Sequence, residues 1–295
     1  MTLGVLKKTG LIVRAARPLN LLFIVVTQWL SLRELGIFQP SQEAFLFMLA
    51  SVLAGAAGNM INDIKDHEGD LINKPSAVWI HVSIPLNQAM SIYRTLVFLA
   101  AFISVMVSLK AVFIIALLQF SLFIYSYRLS KIAFWGNLTI SWLTAGVIPS
   151  LPLVLGMEIP RGLWLIAVVA FYLNFLRELV KDIQDMPGDR VMGRKTLPLL
   201  AGSEKTFLLV FGLITLPLAY VDLYLTGIFP WQAEILEQLR QPGHFPAFMA
   251  FLFLFHLLGI ASLVTTVKKA GSKKLSAALK IMMLCGLVLW LLAGT

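Results

Sequence analysis

Long apolar runs broken by short polar punctuation set the pattern of this chain. Stretches able to cross a hydrocarbon layer of roughly 30 Å fall near 19–38, 43–62, 88–109, 111–127, 134–155, 162–180, 205–227, 246–266 and 275–294. They predict an all-α integral membrane protein of about nine transmembrane helices, in one domain covering 1–295. The first run has an apolar core like that of a secretory signal, but it lacks a convincing small-residue cleavage site and further spans follow it, so it reads as a retained helix.

Composition agrees with this reading. The 295 residues are 59% hydrophobic and 13% charged, with a mean hydropathy of +0.85, outside the range of a soluble globular domain. Charge placement then orients the chain. With the N-terminus inside, twenty of the 24 lysines and arginines lie on the inner side, and only Arg33, Lys110, Arg161 and Arg240 lie outside. Short cytoplasmic loops carry such a basic excess. The net charge of +9 is thereby explained by a face lying on anionic lipid, with no reason to invoke nucleic acid. The single Cys285 sits among apolar residues of the last span and reads as packing.

Against this background one pattern stands out. Residues 63–70 read Asp-Ile-Lys-Asp-His-Glu-Gly-Asp and residues 182–189 read Asp-Ile-Gln-Asp-Met-Pro-Gly-Asp, each at the end of an apolar span. Four crossings separate the copies, which puts both on the cytoplasmic side. Only 15 residues of the chain are acidic, and two facing clusters of carboxylates repel unless a cation lies between them. The helical spacing aligns Asp63, Asp66 and Asp70 on one face and Asp182, Asp185 and Asp189 on another, so that each triplet is expected to converge on one ion. An all-oxygen donor set favours Mg²⁺ over zinc or copper. Mg²⁺ held by few carboxylates usually completes its shell with water and substrate phosphate, which points to a diphosphate ligand. Gly69 and Pro187-Gly188 are expected to interrupt or end their helices just before the third aspartate, leaving Asp70 and Asp189 in loops. One turn back, Asn59 and Asn62 pair with Glu178 and Lys181, continuing a polar stripe that should face an internal cavity open to the cytoplasm. Taken singly, either cluster could be a solvated acidic loop; the repetition argues against that.

At these residues the chain resembles the UbiA family of intramembrane prenyltransferases. Asn62, Asp63, Asp66 and Asp70 match its first Asp-rich signature, and Asp182, Asp185 and Asp189 match its second. Tyr127-Arg-Leu-Ser-Lys131 matches a third element, and Arg17-Pro18-Leu19-Asn20 matches the family's entry to its first helix. Within the family, the run from Arg177 to Asp189, followed by Gly193 and Thr196-Leu197-Pro198, looks most like the group that moves geranylgeranyl onto geranylgeranylglyceryl phosphate. A departure occurs at Ser76-Ala77-Val78-Trp79-Ile80-His81, where many relatives carry Arg-Pro and a Pro-Ser-Gly turn.

The resemblance implies a prenyltransferase that uses Mg²⁺, a polyprenyl diphosphate and a lipid-soluble acceptor. All six aspartates are metal ligands in this reading. Asp63, Asp66, Asp182, Asp185, Lys131 and Tyr127 carry the chemistry. Arg17, Asn20, Asn59, Asn62, Arg128 and Lys181 bind substrate. For the basic residues, placement at cytoplasmic helix ends is explained by topology alone, and Tyr127 would equally suit an interfacial belt. His67 and His81 read as loop histidines, while His244 and His256 have no acidic partner in view. Two alternatives stay open: an aromatic acceptor, as in quinone biosynthesis, and an ion-coupled transporter.

Overall fold

The computed structural model of the chain describes residues 15–80, 84–225, 253–254, 256–257 and 272–293. Its repeating structure is helical: α1 (Pro18–Glu34), α2 (Gln42–Asn73), α3 (Leu86–Val105), α4 (Leu109–Tyr127), α5 (Trp135–Val154), α6 (Arg161–Val191), the short α7 (Leu197–Ala201), α8 (Ser203–Leu225) and α9 (Ser272–Ala293). Among the described residues there is no strand, only two isolated bridges. Among the described residues five helices, α2 to α6, are long and apolar enough to cross a membrane by length and composition. The span expected near 246–266 lies almost wholly outside the described residues, as do His81 and His244.

The chain forms two compact units, Met1–Phe171 with Pro187–Thr196, and Tyr172–Met186 with Leu197–Thr295. In the first, α2 is the central helix and packs against α1, α3, α4 and α5. Its apolar window is 61% buried, against 17% for α3 and for α4. Phe98, Phe102, Phe113 and Phe120 on those outer helices are exposed, as suits side chains that meet lipid. Ser41 starts α2 by accepting from the Ala44 N–H at 3.2 Å, and Ser108 starts α4 in the same way through Ala111, each satisfying a helix-end donor.

Close packing around α2 depends on its small residues. A Cβ at Gly55 would stand 2.6 Å from Ile24 Cδ1, and one at Gly58 2.6 Å from Leu122 Cδ1, so these positions let α1 and α4 lie against the backbone. Toward its N-terminal end α2 joins a buried polar knot. Gln28 Nε2 donates to Ser51 and Ser150, each at 3.1 Å. Ser31 donates at 2.8 Å to the Ile148 carbonyl, which Pro152, four residues on and lacking an N–H, leaves without its helical donor.

Both Asp-rich helices run further than their glycines predicted. Asp70 lies inside α2, and Asp189 inside α6, past Pro187 and Gly188. Tertiary contact overrides the local breakers. The Gly188 N–H donates to Asn73 Oδ1 at 3.0 Å, and a Cβ on Gly188 would sit 2.5 Å from the Gly69 carbonyl oxygen and 2.4 Å from Asn73 Nδ2. The two glycines are a crossing point for the ends of α2 and α6.

In the second unit Glu178 is buried and held by Arg177 at 2.6 Å and Lys181 at 3.4 Å. Gln184 Nε2 donates to the Ser272 carbonyl at 2.9 Å, and the Tyr172 hydroxyl donates to the Leu213 carbonyl.

Candidate active site

The last three turns of α2 present the first acidic cluster, and the structure divides it among separate partners. Asp63 accepts from Arg17 Nη2 at 2.6 Å on one oxygen and from the Trp79 indole N–H at 2.9 Å on the other. Asp66 accepts from Asn62 Nδ2 at 3.0 Å on one oxygen and from Arg194 Nη2 on the other. Asp70 lies 4.0 Å from Lys74 Nζ. The expected convergence of Asp63, Asp66 and Asp70 on a single point is therefore not what forms. Among the described residues no three His, Cys, Asp or Glu side chains gather closely enough to hold a metal ion unaided.

What forms instead links the two clusters. Arg194 reaches Asp66 with Nη2 and Asp189 with Nη1, the latter at 3.2 Å. Asp189 is buried and only 11% of the Arg194 side chain is exposed. Burial works against the arginine charge, but Asp66 and Asp189 more than offset it and hold its pKa above the ordinary arginine value. The repulsion predicted from sequence is thus relieved by an internal cation.

Local structure sets Arg194 in place. Gly193 adopts φ +63°; its N–H bonds the Arg190 carbonyl at 3.2 Å, and the Arg194 N–H bonds the Asp189 carbonyl at 2.9 Å. These are the two hydrogen bonds of a Schellman ending, and they fold the residue after Gly193 back toward the last turn of α6.

Arg17 stands just before α1 with φ 55°. Burial opposes its charge too, and Asp63, with Asp70 and Asp66 further off, raises its pKa above the ordinary value. Asn59 donates to the Ala16 carbonyl at 2.9 Å, tying the same approach segment to α2. Asn20 is exposed. Trp79 is buried in a small cluster with Ala15, Met60, Ile80, Ile84 and Ala89, which fixes the indole over Asp63. Lys65 lies 3.7 Å from the centre of the Tyr127 ring, a cation–π contact on a ring expected to face substrate, and Phe123 stacks on the same tyrosine at 4.3 Å. Arg128 and Lys131 have exposed side chains, and the Lys131 carbonyl accepts from the Lys195 N–H at 2.9 Å. Asp182 and Asp185 lie nearly one turn apart on α6, half-buried, and Lys181 belongs to the Glu178 pair.

Two participants escaped the sequence reading. Arg194 was one of many inner-face cations, with only its position five residues after Asp189 to distinguish it. Trp79 stood in the segment noted as a departure, which was the available signal.

The donor set suits a hard cation. Asn62 Oδ1 is a buried acceptor with no partner, beside Asp66, and an unpaired buried acceptor is costly unless something fills its lone pairs. With Asp66 and Asp189 it supplies oxygen ligands of the kind Mg²⁺ prefers, few enough to leave places for water and phosphate.

The sequence matches the UbiA prenyltransferase family over residues 20–236. The chain belongs to that family, and it is by class a prenyltransferase and an integral membrane protein. Among its relatives is the digeranylgeranylglyceryl phosphate synthase of Methanothermobacter thermautotrophicus, 34% identical over 218 residues that cover 72% of this chain and 75% of that one. The fold matches a solved structure of digeranylgeranylglyceryl phosphate synthase in membranes, with TM-score 0.63, 24% identity and coverage of 98% and 99% of the two chains. It also matches a UbiA homolog from Archaeoglobus fulgidus bound to GPP and Mg²⁺, with TM-score 0.62, 14% identity and coverage of 96% and 99%.

Proposed function

We propose that this chain is a Mg²⁺-dependent enzyme that moves a polyprenyl group, geranylgeranyl above all, from its diphosphate to the glycerol hydroxyl of a prenylated glycerol phosphate. Residues 1–295 act as one UbiA-like membrane domain, with the N-terminus and both acidic clusters on the cytoplasmic side of the cell membrane. The observation that carries the reading is the pairing of Asp66 with Asp189, one carboxylate from each cluster, across a single cation. The relative from Methanothermobacter supports the choice of acceptor, and the Archaeoglobus homolog with GPP and Mg²⁺ supports the donor and the metal.

Asp66, Asp189 and Asn62, joined by Asp70, hold an ion in this reading, and Asp182 and Asp185 remain metal ligands of the second acidic cluster. Bound Mg²⁺ neutralises charge that develops on the diphosphate as the allylic carbon–oxygen bond breaks. Asp63 orients Arg17 and Trp79. Lys131, Arg128, Lys181 and Arg17 offer positive charge to the phosphates, while Tyr127, its ring taken by Lys65 and Phe123, offers its hydroxyl to the diphosphate. Asn20 and Asn59 bind substrate in this reading, Asn59 from the α2 turn that also holds the Ala16 carbonyl.

The test offers geranylgeranyl diphosphate and Mg²⁺ to the purified protein with either geranylgeranylglyceryl phosphate or 4-hydroxybenzoate, and identifies products by mass spectrometry. A doubly prenylated glycerol phosphate is expected. Product with the aromatic ring alone rejects the acceptor, and ion flux that survives Asp66→Ala with no diphosphate released would indicate a transporter instead.

A further inference from the structure

The two acidic clusters meet through a residue of the chain itself, and that residue is a cation where a cation ligand is proposed. The Arg194 fork spans Asp66 and Asp189, so one guanidinium neutralises half the charge of two carboxylates. Its Nε–H is buried with no acceptor. Asn62 Oδ1, beside Asp66, is buried with no donor. One more hydrogen bond, a charge-assisted one for the guanidinium, is available on each side, and no nearby protein group takes it. Both groups are incomplete.

From this we infer that Arg194 is an exchangeable internal counter-ion. It holds Asp66 to Asp189 while the divalent cation is absent, competes with that cation for the same oxygens, and leaves them when the metal enters, carrying its freed donors to an anionic ligand. The inference rests on the metal site proposed above. Electrostatics gives the direction of exchange. A divalent ion matches two carboxylates where a guanidinium leaves one negative charge over, yet a charge-assisted hydrogen bond must break for the ion to enter. Arg194 therefore lowers the affinity for metal alone, and a diphosphate arriving with the metal restores the balance by giving the guanidinium a new partner. The device couples the two ligands: metal by itself binds weakly, and metal with diphosphate binds well. The Schellman ending at Gly193 anchors the backbone of Arg194 while its side chain exchanges partners.

The test measures Mn²⁺ binding to the full-length protein in detergent by the loss of the free-ion paramagnetic signal, without and with inorganic diphosphate. Arg194→Gln is expected to bind Mn²⁺ alone about tenfold more tightly than wild type, the size of one charge-assisted hydrogen bond, and to lose most of the gain that diphosphate gives. Its metal-free melting temperature falls and Mn²⁺ restores it. Arg194→Lys, which keeps the charge without the two-pronged fork, falls between the two and guards against a failure of Arg194→Gln to fold. Equal or weaker Mn²⁺ binding by both variants, with wild type binding normally, overturns the inference alone. Absence of Mn²⁺ binding in wild type as well overturns the metal-site reading on which it rests.

Discussion

The two ends of α2 face the same physical problem and resolve it differently. Toward the N-terminal end, around Ser51, polar groups in a low-dielectric interior are neutral: Gln28 donates to Ser51 and to Ser150, and Ser31 covers a carbonyl that Pro152 exposes. Toward the C-terminal end the groups are charged, and Asp63 and Asp66 are balanced by Arg17, Trp79 and Arg194. Neutral side-chain hydrogen bonds between membrane helices contribute on average about 0.6 kcal/mol each, enough to choose a packing arrangement and little else. Buried charges are strongly destabilising when left unpaired, so their partners must be present or replaced. The knot locks helices together; the acidic end keeps a pairing that a ligand is able to take over.

That contrast is broken most directly at Asp66. Asp66→Ala removes the carboxylate shared by Asn62 and Arg194, and prenyl transfer should fall roughly a thousandfold, the scale on which a charge-stabilising group counts, as read from product formation with saturating Mg²⁺. Next comes Gly188→Ala. Its methyl group would meet the Gly69 carbonyl oxygen at 2.5 Å, so the crossing must open, and the overpacking costs about 1–3 kcal/mol. Asp189 moves with it, and turnover should drop at least tenfold alongside a lower melting temperature. Trp79→Phe is milder: the ring still fills its cluster, but one oxygen of Asp63 loses its donor, which destabilises by about 1–3 kcal/mol. We expect a severalfold rise in KM for the diphosphate with kcat nearly kept. At the neutral end Gln28→Ala should lower the melting temperature by a few degrees and leave turnover at the wild-type level; a large loss of activity there would erase the distinction between the two ends.

Much of the fold was readable because membrane spans announce themselves by length. The span near 134–155 became Trp135–Val154, one of the helices apolar enough to cross a membrane, and the run near 205–227 became the helix Ser203–Leu225. The ends of α2 and α6 are not legible locally: Gly69 and Pro187-Gly188 have the chemistry of helix breakers, whereas the contact that overrides them joins residues far apart in sequence. For the site, repetition revealed the acidic clusters but not their counter-ions. Arg194 could not be distinguished from topogenic lysines and arginines by its type, since the same charge serves both purposes; only the turn at Gly193 sets it apart. Tyr127 was noticed for its ring, but that Lys65 would lie on it depends on how α2 and α4 are rotated, which no single segment encodes.

The link between Lys131 and Lys195 is made by main-chain atoms, a carbonyl of one and an N–H of the other. Replacing either side chain therefore leaves the tie between the turn after α4 and the segment after α6 standing. Lysine-to-methionine or lysine-to-glutamate exchange at Lys131 becomes a titration of surface potential at fixed architecture, and any change in diphosphate capture it produces can be assigned to charge alone.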